Sequence, residues 1–197
     1  YFISQNSFDL LNKFPSSETK IGSFYGELVL NDNVVFGISY GSDEGDKCQN
    51  KSCISYLFAV DIENLNSVWP LEFIQIDGAV VGGVKYSDGN LYFATSENDS
   101  FSEKGGFFYS VDANNGQIKF KIPIKNRIYN SIEINEDKKI ALVGDTAGSL
   151  SLINIDNKES LNLEDRIISS VETDYSIISP AVHLIDSNND SNYCVGN

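Results

Sequence analysis

The sequence has no methionine, one tryptophan, one histidine and only 14 basic residues against 28 acidic residues in 197. Without Met the chain does not begin at a translation start, and we expect a mature or excised segment of a longer product. No apolar run approaches the roughly 20 residues that cross a bilayer, so no membrane span is predicted. The formal charge of −14 repels nucleic acid and anionic membrane surfaces, so no nucleic-acid partner is expected, while cationic partners or calcium stay open.

Residues that usually carry catalysis are also scarce. The sole histidine, His183, lies in the apolar alternation AVHLI, which favours a core or inter-sheet hydrogen-bonding role over a general base. The sequence contains no nucleophile elbow, phosphate-binding loop or dinucleotide fingerprint. We therefore expect no catalytic residue and a protein that is not an enzyme.

The three cysteines bear on the compartment. Four residues separate Cys48 from Cys53, a spacing that closes a small disulfide loop but also fits two free thiols. A metal site is the third alternative, although Cys194 is distant and further ligands are lacking. A Cys48–Cys53 disulfide predicts an extracellular, periplasmic or lumenal protein. Three Asn-x-Ser sequons point weakly to the same compartment and lie at Asn50, Asn98 and Asn189.

The chain is rich in strand-forming residues and repeats itself. Three segments share a strand, an Asp or Asn, a turn and an aromatic residue eight positions later. They are YFISQNSFDLLNKF with Asn6 and Phe14, YLFAVDIENLNSVW with Asp61 and Trp69, and FFYSVDANNGQIKF with Asp112 and Phe120. A weaker copy, SLSLINIDNKESLNLE, contains Asp156, and the markers at 6, 61, 112 and 156 are spaced by 55, 51 and 44 residues. A second template, NVVFGIS, NLYFATS, KIALVGD and NYCVGN, recurs at spacings of 57, 49 and 53 residues.

Each period contains four short β-runs separated by turn residues. The Asp or Asn side chain can accept hydrogen bonds from turn amides, and Gly116 can supply the positive φ that a hairpin needs. The aromatic residue can start the next strand and wedge between neighbouring sheets. A single four-stranded sheet cannot bury both faces, whereas sheets packed radially can. The sequence therefore predicts an all-β fold, a β-propeller of four-stranded antiparallel blades with about four repeats.

The repeat resembles the pyrroloquinoline-quinone-like repeat family, and GFFYSVDANNGQIKF is the nearest match. Further matching positions are Val143-Gly144, Val195-Gly196 and Ser179-Pro180-Ala181. The family's Trp is present only as Trp69, with Phe14 and Phe120 at the other positions. The resemblance implies a quinone held with calcium by Trp, Arg and acidic residues in some members. One Trp and two arginines, Arg127 and Arg166, do not match that constellation, so no quinone is expected.

Calcium is the inorganic ligand left open, because hard oxygen ligands alternate in two acidic segments. The first is the weak candidate set Asp43, Glu44 and Asp46, and the second contains Asp186, Asn188, Asn189 and Asp190. Neither fits a twelve-residue calcium loop, and solvated acidic loops are the simpler interpretation. Five aromatics that could form a binding platform have strand spacing that instead favours core packing: Tyr92, Phe93, Phe107, Phe108 and Tyr109.

The phase of the repeats predicts one propeller domain or propeller segment over 1–197. It consists of half a blade over 1–20, full blades over 21–75, 76–127 and 128–176, and the first half of a blade over 177–197. If the ends meet, the two halves form a fourth blade and close the ring, which removes exposed sheet edges. The alternative is part of a larger ring of about six to eight blades.

Two insertions, 41–55 and 96–106, fall between the second and third strands of their repeats and are expected on one face. The leading hypothesis is a non-catalytic scaffold that binds a protein or peptide with this face. The resemblance implies recognition of exposed β-segments by strand addition. Two alternatives are a quinoprotein-like or calcium-dependent enzyme and a spacer module of a larger cell-surface protein. The oligomeric state is left open.

Overall fold

The computed structural model describes residues 2–3, 10–12, 14, 21–40, 53–96, 105–156, 162–185 and 191–195. Within these ranges the regular structure is β-strand, with a single 3₁₀ turn at Glu164–Arg166. No helix in this part of the chain has the length and apolar character needed to cross a membrane. The described chain is therefore all-β, as the sequence predicts.

Twelve of the strands form three four-stranded antiparallel sheets, each a simple meander in chain order. The first sheet contains β3 (Val29–Asn31), β4 (Val34–Ile38), β5 (Ile54–Asp61) and β6 (Ile74–Asp77). The second contains β7 (Lys85–Ser87), β8 (Asn90–Ala94), β9 (Gly106–Asp112) and β10 (Ile118–Ile124). The third contains β11 (Glu133–Asn135), β12 (Ile140–Gly144), β13 (Ser149–Asn154) and β14 (Ile167–Glu172).

Two further strand pairs flank these sheets along the chain. They are β1 (Phe2–Ile3) with β2 (Leu10–Asn12), and β15 (Val182–Ile185) with β16 (Ser191–Cys194). Each pair forms its own two-stranded antiparallel sheet among the described residues. The described chain thus holds three complete four-stranded sheets and two pairs, and the predicted blade boundaries and ring closure stay predictions.

The second sheet is buried on both faces, because its side chains alternate between two hydrophobic clusters. Leu91 and Phe93 of β8 pack against the first sheet, whereas Tyr92 and Ala94 pack against the third. Successive side chains of a strand point to opposite faces, so every residue of β8 is buried. Burial on both faces is what the stacking of separate sheets requires.

The outer faces of the first and third sheets carry smaller clusters. On the first sheet the ring of Phe14 lies 5.4 Å from that of Phe58 and 5.6 Å from that of Phe73. On the third sheet Leu142 and Leu150 pack with Ile177 and Ala181, the residues that lead into β15. Both outer faces therefore contact the flanking segments of the chain.

Contacts between the first strands of successive sheets show how the sheets are arranged. Strand β3 contacts β7, β7 contacts β11, and β11 contacts β15. Gly83 forms a parallel bridge with Glu27, which lies just before β3, and Gly82 lies so close to Asn130, just before β11, that a side chain would collide with the carbonyl oxygen of Asn130. The first strands therefore lie side by side, and the sheets fan outward from them as in a propeller.

Candidate functional site

Turn residues that define the repeat hold the hairpins between third and fourth strands. The Oδ1 atom of Asp61 accepts hydrogen bonds from the amides of Glu63 and Asn64, at 2.9 and 3.0 Å. In the second sheet Oδ1 of Asp112 accepts one from the amide of Asn114, at 2.8 Å. These bonds replace water for turn amides that no strand partner could satisfy.

The third sheet uses a residue that the repeat pattern missed. Asp61, Asp112 and Asn154 each pair with the first residue of the second strand in their sheet. Asn154 is therefore the structural equivalent of the two aspartates. Asp156 lies two residues further on, and its amide donates to Oδ1 of Asn154 at 2.8 Å.

Electrostatics around Asp112 support its role in the turn. Burial raises the pKa of this carboxyl, but the hydrogen bond from Asn114 and the ammonium of Lys119 outweigh it, so the pKa lies below its usual value. The Nζ atom of Lys119 lies 3.2 Å from Oδ2 of Asp112. The carboxylate is therefore ionised wherever the protein is folded near neutral pH.

Gly116 and Leu65 occupy the same place in these two turns. Both have positive φ, 76° and 59°, and each amide donates to the carbonyl oxygen of the preceding Asp. Gly116 meets the conformational requirement without a Cβ, as predicted from its position in the turn. Leu65 adopts the same left-handed backbone with a branched side chain, which costs roughly 1–2 kcal/mol relative to glycine.

Trp69 is the wedge between the first and second sheets. It is buried, lies in the segment between β5 and β6, and packs with Phe36. Its Nε1–H donates to the carbonyl oxygen of Ala113 in the next sheet, at 2.9 Å. The residue thus bridges two repeats, although it precedes its strand instead of starting it.

Phe120 occupies the corresponding place between the second and third sheets and has a cationic partner. The guanidinium carbon of Arg166 lies 4.0 Å from the centre of the Phe120 ring. The same guanidinium donates from Nη1 to the carbonyl oxygens of Asn154 and Asp156. Burial lowers the pKa of Arg166, although the group stays charged because its ordinary pKa is so high.

Several predicted site residues lie outside the described residues, so their roles stay predictions. They are Asn6, the calcium candidates Asp43, Glu44 and Asp46, and Cys48. The second acidic segment over 186–190 and the sequons at Asn50, Asn98 and Asn189 also fall outside. Cys53 is buried beside Ala79, whereas Cys194 is an exposed free cysteine. His183 is a residue of β15.

The Trp and Arg residues considered for a quinone are engaged within the protein. Trp69 is buried between two sheets, and its indole N–H donates to the carbonyl oxygen of Ala113. Arg166 is held by Phe120, and Nη1 of Arg127 donates to the Tyr129 hydroxyl at 2.7 Å. Across the described ranges no three His, Cys, Asp or Glu residues group closely enough to hold a metal ion.

Four of the five aromatics considered for a binding platform lie in the core. Tyr92, Phe93, Phe108 and Tyr109 are each at most 1% exposed. The rings of Phe93 and Tyr109 stack with centroids 5.1 Å apart and an interplanar angle of 13°. These rings therefore stabilise the contacts between sheets and offer no surface to a ligand.

An edge strand differs from the others in exposure. All six residues of β14 are exposed, and β14 is the last strand of its sheet among the described residues. The edge strand of the second sheet, β10, carries Lys119, Lys121 and Pro123, which blunt an edge against pairing. By contrast, β14 reads IISSVE, with no proline and a single charge at its end. Among the last strands of the three sheets, β6, β10 and β14, it is the least protected, because β6 is only four residues long.

A polar pocket of about 350 Å³ opens between the second and third sheets, beside β14. We call it the serine pocket, and its walls are Pro123, Ile124, Lys125, Asn126, Asp145, Ala147, Ser149, Ser151, Ile167, Ser170 and Glu172. Asp145 forms the buried floor, where Oδ1 accepts from the amides of Ala147 and Ser149 and Oδ2 accepts from Asn126 Nδ2 at 2.8 Å. The remaining polar groups line a cleft between the second and third sheets. By contrast, the interface between the first and second sheets is filled by an apolar cluster.

The strand registers explain why this cleft is open. Counting back from Asp112 and Asn154, Phe107 is equivalent to Ser149 and Tyr109 to Ser151. The first sheet has the aromatic pair Tyr56 and Phe58 at these positions, counted from Asp61. Two sheets therefore fill the wedge in front of the third strand with aromatic rings, and the third sheet replaces both rings with serines. The two serine replacements are visible in the sequence once the repeats are aligned on Asn154, and the choice of Asn154 over Asp156 comes from the strand pairing.

Neither a protein-family model nor any curated protein matches the chain. Among solved structures it is similar to BamB from Moraxella catarrhalis, at 12% identity and a TM-score of 0.51, over 80% of this chain and 37% of that one. It is also similar to a europium-containing methanol dehydrogenase, at 9% identity and a TM-score of 0.57, over 88% and 50%. The computationally designed Ika4 protein matches at 11% identity and a TM-score of 0.50, over 91% and 99%.

These likenesses concern the fold. BamB and methanol dehydrogenase are β-propeller proteins, and the similarity supports a propeller-type fold for this chain. The chain spans about a third to a half of the length of these two proteins. At such low identity the comparison carries the architecture and not the chemistry.

Proposed function

We propose that this chain is a non-catalytic β-propeller scaffold that binds an extended polypeptide along β14. The observation that carries the proposal is the exposed edge of β14, where Ile168 and Val171 are 51% and 54% exposed. An unpaired edge strand presents backbone donors and acceptors that an extended segment can pair with. Exposed β-branched side chains add apolar contacts to those backbone hydrogen bonds.

The net charge of the protein indicates the charge that its partner carries. A formal charge of −14 attracts cationic segments and slows the approach of acidic ones. Strands β4, β8 and β12 are each the second strand of their sheet, so the connections that follow β4 and β8 are the counterparts in the chain of the Asp145 turn, which lines the serine pocket. We assign these two connections an auxiliary contact with the partner.

The proposal includes an extracellular, periplasmic or lumenal location and needs neither quinone nor calcium. The location follows from the disulfide proposed between Cys48 and Cys53, since such bonds persist in oxidising compartments. Cofactor-free binding is supported by the engagement of Trp69 and Arg166 within the sheet interfaces.

The test is an array of short synthetic peptides with β-branched, extended sequences, read out by fluorescence anisotropy. A lysine at an edge opposes pairing, so Val171→Lys should weaken the best peptide by at least tenfold, about 1.4 kcal/mol. The matched control is Ile118→Lys on β10, since Ile118 is 47% exposed on an edge strand that already carries lysines. Absence of any peptide binding, or equal loss in both variants, would overturn the proposal.

A second variant tests the auxiliary contact. Replacing residues 41–52 and 97–104 with short turns should reduce the affinity less than Val171→Lys does, because the edge supplies the backbone pairing. Unchanged affinity in that variant would remove the two connections from the binding surface and leave the edge assignment intact. Complete loss there, with Val171→Lys still binding, would move the site away from β14.

A further inference from the structure

We propose that the serine pocket is a specificity pocket that receives a lysine or arginine side chain from the polypeptide bound along β14. This inference rests on the proposed function and adds the chemical class of residue that the partner must carry.

The pocket lies beside the proposed docking edge. Ile167, Ser170 and Glu172 belong to β14 and also line the pocket. A strand added to β14 lies about 4.8 Å beyond it, and every second side chain of that strand points to the same side as Ser170. Ser151 pairs with Ser170, so it lies about two strand spacings, roughly 10 Å, from the added backbone. Long side chains therefore reach the pocket, whereas short ones do not.

The chemistry of the walls favours a cation. Two carboxylates, Asp145 and Glu172, face the pocket against one ammonium, that of Lys125. Both oxygens of Asp145 already accept protein hydrogen bonds, so Glu172 on the exposed rim is the ion-pair partner. The hydroxyls of Ser149, Ser151 and Ser170 can accept from the several N–H donors of an ammonium or guanidinium.

Other side chains fit the walls less well. A carboxylate would meet Asp145 and Glu172 and add to a protein charge of −14. An apolar side chain would cover the serine hydroxyls without giving them hydrogen-bond partners, which costs free energy for each group. Discrimination against such residues is the property expected of a specificity pocket.

The repeat indicates that the opening is a local feature of one interface. At the equivalent positions the second sheet carries Phe107 and Tyr109, and these rings pack into the cluster between the first and second sheets. The chain thus supplies its own filled version of the same cleft. A variant that places the aromatic residue of the second sheet at the equivalent serine position of the third sheet should therefore close the pocket with a side chain that this repeat already accommodates.

The experiment compares one binding peptide from the array carrying lysine at the pocket position with the same peptide carrying acetyl-lysine. Acetylation removes the charge of the amine and adds an acetyl group at the end of the same side chain. Wild-type protein should prefer the lysine peptide by about tenfold. In Ser151→Tyr the preference should vanish while general peptide binding remains. The control Ser169→Tyr, on the other face of β14, should keep the preference.

The outcomes distinguish a failure of the proposed function from a failure of the pocket assignment alone. No peptide binding overturns the proposed function and the pocket with it. Binding with equal affinity for the two peptides overturns the pocket alone, as does a preference that persists in folded Ser151→Tyr. If circular dichroism shows that Ser151→Tyr does not fold, Glu172→Gln at the exposed rim serves in its place. That variant should lose most of the preference and its salt dependence, and an unchanged preference there would also overturn the pocket.

Discussion

The aromatic position of the repeat makes a chemically different contact in each of its three copies. Phe14 contacts two phenylalanines, Trp69 donates a hydrogen bond to the next sheet, and Phe120 receives a guanidinium. The common requirement is a flat, apolar side chain at the wedge between two sheets. The polar additions depend on which backbone carbonyl or cation the neighbouring sheet presents.

The buried phenol of Tyr109 predicts how the stability of the protein depends on pH. Burial, with a smaller effect of Asp77, raises the pKa of its phenol to about 12. Because the folded pKa lies above the unfolded value near 10, the stability that this neutral phenol provides is complete below about pH 10. It is then lost as the pH rises toward 12, so the urea midpoint should fall over that range.

An ultraviolet titration of phenolate tests this directly. The raised pKa of Tyr109 should appear as a late-ionising phenolate fraction in the folded protein. Tyr109→Phe should reduce the late fraction, and Tyr92 should contribute the remainder because burial raises its pKa as well. Simultaneous ionisation of all tyrosines while circular dichroism still reports the folded state would contradict the prediction.

Two hairpin turns of the second sheet allow the effect of backbone strain to be distinguished from that of a steric collision. Gly89 and Gly116 have nearly equal φ, 73° and 76°, in two hairpins of the second sheet. A Cβ at Gly89 meets nothing within 4 Å, whereas one at Gly116 would collide with Ile74 and approach Trp69 of the first sheet. The two glycines therefore form a matched pair.

Alanine substitution at these positions should give different losses of stability. Gly89→Ala should cost about 1–2 kcal/mol through the left-handed backbone alone. Gly116→Ala should cost about 1–3 kcal/mol more, since the added methyl overfills the contact beside Trp69. Urea unfolding of both variants measures the difference, and equal losses would mean that the contact between sheets relaxes freely around position 116.

The edge strands show that protection is distributed unevenly among equivalent elements. β10 combines Lys119, Lys121 and Pro123, and β6 is only four residues long. β14 has neither device. This contrast strengthens the proposal made from the exposed edge of β14, because scattered exposed apolar residues alone are normal on protein surfaces.

At the scale of the whole molecule, the question is how the outer faces of the sheet array are covered. If β1–β2 and β15–β16 combine into a fourth sheet, β16 lies next to β1 in the predicted strand order. Adjacent antiparallel strands bring opposing Cα atoms to about 4.5–5.5 Å, which a disulfide can bridge. Cys194 in β16 is an exposed free cysteine and can report this proximity.

We expect one of Phe2→Cys and Ile3→Cys to form a disulfide with Cys194 under mild oxidation, detected by mass spectrometry of the non-reduced digest. The same variants carrying Cys194→Ser provide the control for pairing with the other cysteines. Failure of both positions to cross-link would contradict closure by this chain and favour the larger ring.

Local sequence determined the unit of the fold. Period, turn residues and strand-forming runs predict four-stranded sheets, because hairpin turns depend on neighbouring residues and alternation places apolar side chains on a face. They also predict the hydrogen-bonded aspartates and the wedge aromatics. The alignment missed Asn154, since asparagine and aspartate accept the same turn hydrogen bonds and only the strand pairing distinguishes the correct position.

Only the tertiary structure decided the candidate site. The serine pocket exists because Ser149 and Ser151 lie opposite another sheet, so its volume depends on residues far apart in sequence. Exposure of β14 likewise depends on which sheet faces have neighbours among the described residues. A periodic pattern specifies which residues leave each strand, whereas the packing of whole sheets specifies what those residues meet.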